Sequence, residues 1–264
     1  MGGRRILMAA AIATAAAPAL ADEADELAKK LSNPVANLIT VPFQFNADFD
    51  EGPNKDGQSY LLKIEPVLPI KLNDDWNVVS RTIIPIIDFN QVFSNNIFGL
   101  SNIQQDFYLT PSKAGPDGFV WGIGPSITFP SATDARVGSN LWGGGPTGVA
   151  LVQLRGLTLG ALVTQTWSFN GASQPGGTNQ TFLQPFAAYS LGQGQTLSLN
   201  TESTYDWIAH QWTVPINLDY SKVFRVGTQA MSFEVGGRYY ATRPDGGPQW
   251  GIRTELTLLF PTGK

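Results

Sequence analysis

The chain has 264 residues, with 28 glycines, 18 prolines, one histidine, no cysteine and a formal net charge of −4. Disulfides and thiol chemistry are excluded, the glycine and proline content argues against a helical protein, and the acidic balance gives nucleic acid no electrostatic footing. After the first residues, no segment approaches the roughly 18 consecutive apolar residues of a membrane-spanning helix.

Residues 1–21 read as a signal peptide. Arg4 and Arg5 supply the positive start, Ile6 to Ala17 form a short apolar run, and Ala19-Leu20-Ala21 is a cleavage signal before Asp22. Residues 22–35 read as a short periplasmic helix or tail. It is centred on Asp25 to Ser32 and stopped by Asn33-Pro34, and its charges fit a tail or partial plug better than a membrane span.

Residues 36–264 then alternate. In the strand from Thr196, Leu197, Leu199, Tyr205 and Trp207 share one face, while Ser198, Asn200, Glu202, Thr204 and Asp206 share the other. A side-chain period of two makes one oily and one wet side. Similar segments are expected over 36–48, 58–71, 75–88, 101–111, 118–130, 142–154, 157–170, 179–190, 195–207, 210–222, 229–243 and 248–260. The expected fold is all-β: a single transmembrane antiparallel up-and-down barrel of about 12 strands, an even number that leaves both termini on the periplasmic side.

Connections support this. Those at Asn73-Asp74, Arg155-Gly156 and Gly192-Gln193-Gly194 are tight, whereas 89–100, 131–141 and 171–178 are long and polar, the asymmetry of periplasmic turns and outer loops. Two connections break the pattern: the one after the ninth strand is short, and the one after the tenth is longer than expected. Trp76 and Trp121 fall near inner strand ends, joined by Phe260, Tyr189 and Tyr220. Trp142, Trp167, Trp207, Trp212 and Trp250 fall near outer ends with Tyr60, Phe129 and Tyr239. Aromatic rings with a polar handle favour the two membrane interfaces. Pro66, Pro69, Pro85, Pro125, Pro185 and Pro215 lie inside strands. Proline cannot donate to a ladder, so bulges are expected there.

With the apolar face on outer-membrane lipid, the wet face lines a lumen. Lys63, Glu65, Arg81, Gln104, Asp106, Asn200, Glu202, Asp206, Asn217, Asp219, Glu234, Arg238, Arg253 and Glu255 are the candidate lining. A tight turn at Asn73-Asp74 sets Glu65 opposite Arg81, and Arg238 is expected close to Arg253 and Glu255. These charges either rigidify a narrow barrel as ion pairs or select what passes.

No catalytic residue is assigned. The best hydrolytic combination is His210 with Asp206 and Ser203, but Ser203 and Asp206 face opposite ways. Neither a cofactor nor a metal is expected. Asp48, Asp50, Glu51 and Asp56 match no calcium-loop spacing, and the glycine runs lack a phosphate-loop context.

The stretches 26–44 (ELAKKLSNPVANLITVPFQ), 75–86 (DWNVVSRTIIPI), 201–207 (TESTYDW) with 211–218 (QWTVPINL), and 236–241 (GGRYYA) with 245–253 (DGGPQWGIR) resemble a family of Gram-negative outer-membrane barrels. These are labelled transporter or neuromedin U, and are similar to barrels encoded beside aromatic-degradation pathways. The resemblance implies an outer-membrane location and passage of small solutes, organic or aromatic compounds among them. It supplies no substrate and no catalytic residues. Small barrels are often monomers, so a monomer or small homo-oligomer is expected. The competing expectations are a plugged structural or recognition barrel without conductance, and an outer-membrane lipid hydrolase.

Overall fold

The computed structural model describes residues 22–171 and 175–261. The signal peptide expected over residues 1–21 lies outside them. Twelve antiparallel strands close into one barrel. They are β1 (Ile39–Glu51), β2 (Gly57–Ile64 and Val67–Lys71), β3 (Trp76–Asn90), β4 (Ile97–Leu100 and Gln104–Pro111), β5 (Phe119–Thr128) and β6 (Gly143–Gln153). The second half comprises β7 (Leu157–Ser168), β8 (Asn179–Gly192), β9 (Gln195–Thr201 and Ser203–Asp206), β10 (Gln211–Val226), β11 (Gln229–Thr242) and β12 (Trp250–Phe260). Each strand pairs with its sequence neighbours, and β1 closes on β12 from Ile39↔Phe260 to Phe49↔Trp250.

The expected asymmetry of the ends is present. One end carries the tight turns and the connection 112–118, and the other carries connections such as 91–96, 129–142 and 243–249, with the short 207–210 as its exception. The anomalous tenth connection is corrected: β10 continues to Val226 and pairs with Gln229, leaving only Gly227 and Thr228 as a turn.

The prolines sit where the ladder is broken. Pro66 separates the two pieces of β2. Pro85 faces the 101–103 interruption of β4, across which the register slips by one residue, and Pro215 sits at a bulge against β11. The bulge expectation fails at Pro125 and Pro185, where the register is unbroken. There the rungs are missing on one side only, towards β4 and β9 respectively. Pro69 lies beyond the start of β1, whose last rung to this part of β2 is Thr40↔Val67. A gap leaves no acceptor waiting for the hydrogen that proline lacks.

The outer surface of the barrel is apolar. Leu68, Ile70, Ile123, Leu199, Leu218, Val235 and Ile252 all stand exposed. A continuous belt of this kind needs hydrocarbon rather than water.

A helix over residues 22–31, here α1, precedes the barrel and packs inside its turn end. Ala24, Leu27, Ala28 and Leu31 form one stripe at helical spacing. Leu27 and Ala28 are buried against Leu38, Val223, Ala230 and Leu259. Asn33 ends the helix by accepting from the Val35 amide at 3.0 Å, and Pro34 prevents its continuation. Val35 then reaches the opposite wall, buried among Val79, Tyr108, Val149, Leu151 and Leu162.

Candidate functional site: the barrel interior

The interior side chains are set by strand parity, and their mutual contacts by closure. Glu65, at the break in β2, is bonded by Arg81 of β3. Lys63 lies 3.3 Å from Glu65 and 3.4 Å from Glu202 of β9. Glu202 in turn lies 2.9 Å from Arg253 of β12, whose Nε donates to Asn46 of β1 at 2.9 Å. β2 and β9 are not neighbours, nor are β9 and β12, so these contacts run through the barrel rather than along its wall. Arg253 is only 2 % exposed and Asn46 fully buried. Burying such charges is tolerable only because each meets an opposite partner.

Smaller polar clusters surround this chain. Gln104 donates to Asp106 at 2.9 Å. The Tyr108 hydroxyl also reaches Asp106, at 3.4 Å, and Thr147 at 3.1 Å, and Thr147 continues to Thr164 at 2.7 Å. Asn217 donates to Asn200 at 2.9 Å and Asn200 to Asp219 at 3.3 Å. Arg238 donates to the Tyr240 hydroxyl at 3.0 Å, and that hydroxyl donates to Asp48 at 2.9 Å.

In the last hairpin Arg238 and Arg253 are diagonal neighbours on the inner face, as expected, but Glu255 lies a further step away. The register places Arg238 opposite Gly251 and Arg253 opposite Gly236, while Glu234 faces Glu255. Arg238 therefore joins Asp48 across β12, at 3.4 Å. Glu255 accepts from Thr257 at 2.7 Å. The cause is turn length, because the loop 243–249 fixes which pairs of residues are opposite.

Gln44, Asn46 and Asp48 also belong to the interior, beyond the candidate lining expected from the sequence. Their every-other-residue spacing was the available signal; β1 runs three residues farther than expected. Among the described residues no group of three or more acidic or imidazole ligands could hold a metal ion. Phe182, Phe186 and Leu162 also face inward, packed against the Val35 cluster or lining the interior cavities. A rule that inward means polar could not find them.

The hydrolytic combination does not assemble. Asp206 caps its own turn, accepting the amides of Ile208 at 2.8 Å and Ala209 at 3.0 Å, besides Gln180 at 3.2 Å. Ser203 bonds Thr201 at 2.9 Å. His210 is exposed and holds a left-handed φ of 53° in that turn.

Aromatic rings occupy both ends. At the turn end Trp76 stacks edge-on to Trp121, 5.9 Å between centroids, and Phe260 lies opposite Ile39. At the loop end Phe129 meets Trp142, Tyr205 meets Trp207 and Trp212, and Phe49 meets Trp250. Trp167 pairs with Gly144 and Asn179 at the same level. The indole of Trp207 donates to Thr181 at 2.8 Å and that of Trp250 to Asp50 at 3.2 Å.

The loop 129–142 folds back onto the broken part of β4. Asn102 donates to Phe129 at 2.6 Å and to Ser139 at 2.7 Å, and Ser101 donates to Val137. On the same loop Arg136 donates to Asp134 at 2.6 Å, which holds that carboxyl well below the usual carboxylate range.

No protein-family model and no curated protein matches the sequence. Solved structures do match. An outer-membrane channel from Pseudomonas putida F1 superposes with a TM-score of 0.66 at 12% identity, over 85% of this chain and 96% of that one. What the two share is the barrel fold. The NanC porin gives 0.51 at 11% identity, covering 84% and 98%. The outer membrane phospholipase A of Escherichia coli scores 0.48 at 11% identity, over 83% and 89%. At these identities the likeness fixes the architecture and nothing finer.

Proposed function

We propose that the protein is an outer-membrane channel for small solutes, with its turn end in the periplasm. The observation that carries this reading is the ion-pair chain running through a closed barrel whose outside is apolar. A lipid-facing belt requires a membrane, and interior charges at that depth require protein or water around them. Arg238 Nη1, Asp219 Oδ1 and Asn217 Oδ1 are buried without a protein partner, which supports water beside them. The fold shared with outer-membrane channels supports the same reading.

The chamber beyond the ion pairs, about 250 Å³, is lined by Lys63 and Arg81 together with Glu65, Asp106 and Glu202, and by the apolar Leu162 and Phe182. Such a wall, with both signs of charge beside an apolar patch, suits small organic molecules that carry polar groups on an apolar, aromatic-sized body. Purified protein in a planar bilayer is expected to conduct, and liposomes to swell faster in a zwitterionic aromatic solute of phenylalanine size than in sugars of similar size. Silence at every voltage, with no liposome uptake, overturns the reading.

A second reading has its own observation, α1 inside the turn end. A plugged barrel would be silent as purified and would open when residues 22–34 are deleted. A channel conducts before the deletion as well.

A further inference from the structure

Resting on the channel reading, we infer that α1 is a fixed wall of the exit and that solutes leave beside it, between its polar face and the β7–β9 wall, without the helix moving. Three observations converge on this route.

The first is how the helix is held. Its apolar stripe lies on Val223, Ala230 and Leu259, from β10, β11 and β12. Glu23 pairs with Arg225, Asp25 accepts the Gly194 amide at 2.6 Å, and Gln153 donates to the Lys29 carbonyl at 2.9 Å. Burial of Leu27 alone is worth about 1.5–3 kcal/mol. The barrel wall beneath is apolar where a water-filled pore would be polar, so the wall is built for a resident helix.

The second is what the helix leaves uncovered. A cavity of about 350 Å³ lies between Asp25, Lys29 and Ser32 on one side and Thr158, Ala188 and Thr196 on the other. It sits at the turn end, against Gly156.

The third is continuity. That cavity shares Ala28, Ser32, Ala188 and Thr196 with the next one inward. This second cavity shares Gln184, Glu255 and Thr257 with a third. The third shares Glu65, Arg81 and Leu162 with the chamber beyond the ion pairs. Adjoining cavities thus lead from the turn end, past α1 and the segment that follows it, to the ion pairs and the chamber behind them. Their charged lining near the exit comes from the helix itself, which makes Asp25 and Lys29 selectivity positions.

The chain lacks cysteine, so the test is clean. Glu23→Cys and Arg225→Cys together, bridged by a short bis-maleimide, pin the helix on the side away from the cavity. The pinned protein is expected to keep the conductance of the unbridged double variant. Ala188→Trp, which narrows the side path, is expected to lower conductance severalfold in protein that still shows the heat-dependent gel mobility of a folded barrel. Loss of conductance on bridging alone means the helix must swing out, and it overturns the inference while the channel stands. An unaltered Ala188→Trp conductance also overturns it. If the unmodified chain is silent too, both this inference and the channel reading fail.

Discussion

Glu202→Gln probes the interior most directly, because this one carboxylate joins both halves of the ion-pair chain. Lys63, Arg81 and Arg253 pair with Glu65 and Glu202, and the substitution removes one of these two negative charges, a change of +1. For an ion passing about 6 Å away in water-like surroundings, one unit charge is worth about 0.7 kcal/mol. An anion gains this and a cation loses it, so their separation is about 1.4 kcal/mol, roughly tenfold in permeability ratio. The assay is the reversal potential across a planar bilayer under a salt gradient. It should move toward the anion value at about 0.1 M salt, where the screening length is about 10 Å, and much less at 1 M, where it is about 3 Å. Removing one partner of a buried pair also costs about 3–5 kcal/mol, so the folded gel form should convert at lower temperature. Conduction with an unmoved reversal potential at both salts would place Glu202 outside the permeation path and refute the reasoning.

Three further outcomes are expected. Leu199→Arg puts a charge on the lipid face, where Leu199 is 50% exposed midway along β9; urea unfolding from liposomes should show a loss of about 2–4 kcal/mol, and no loss would mean that this face does not meet hydrocarbon. Gly236→Ala brings a methyl to 2.0 Å from Asp219 Oδ1 and 2.5 Å from the Leu218 carbonyl, so the strand pair must shift, destabilising the barrel by about 1–3 kcal/mol in the same unfolding assay. His210→Gly relieves the left-handed backbone of the turn and should leave lipid turnover at background in both proteins; turnover in the parent that the substitution abolishes would restore the hydrolase expectation.

Much of this molecule follows from the order of its residues. Alternation is local, set by successive side chains pointing to opposite faces. The strand set, the apolar outer face and the aromatic ends therefore follow from stretches such as 196–207 without knowledge of any partner. Parity also puts Glu202, Arg253 and Asp219 on one face. It does not say which of them touch. Lys63 meets Glu202 because the sheet closes and brings β2 over β9, and Arg238 meets Asp48 rather than Glu255 because a loop of seven residues, 243–249, fixes the last register. Closure and stagger are properties of all the strands at once, so no single strand encodes them. The helix is the same case: the stripe Ala24, Leu27, Ala28, Leu31 is plain in the sequence. Only the assembled barrel supplies the apolar interior of Val223, Ala230 and Leu259 that turns a short tail into part of the wall.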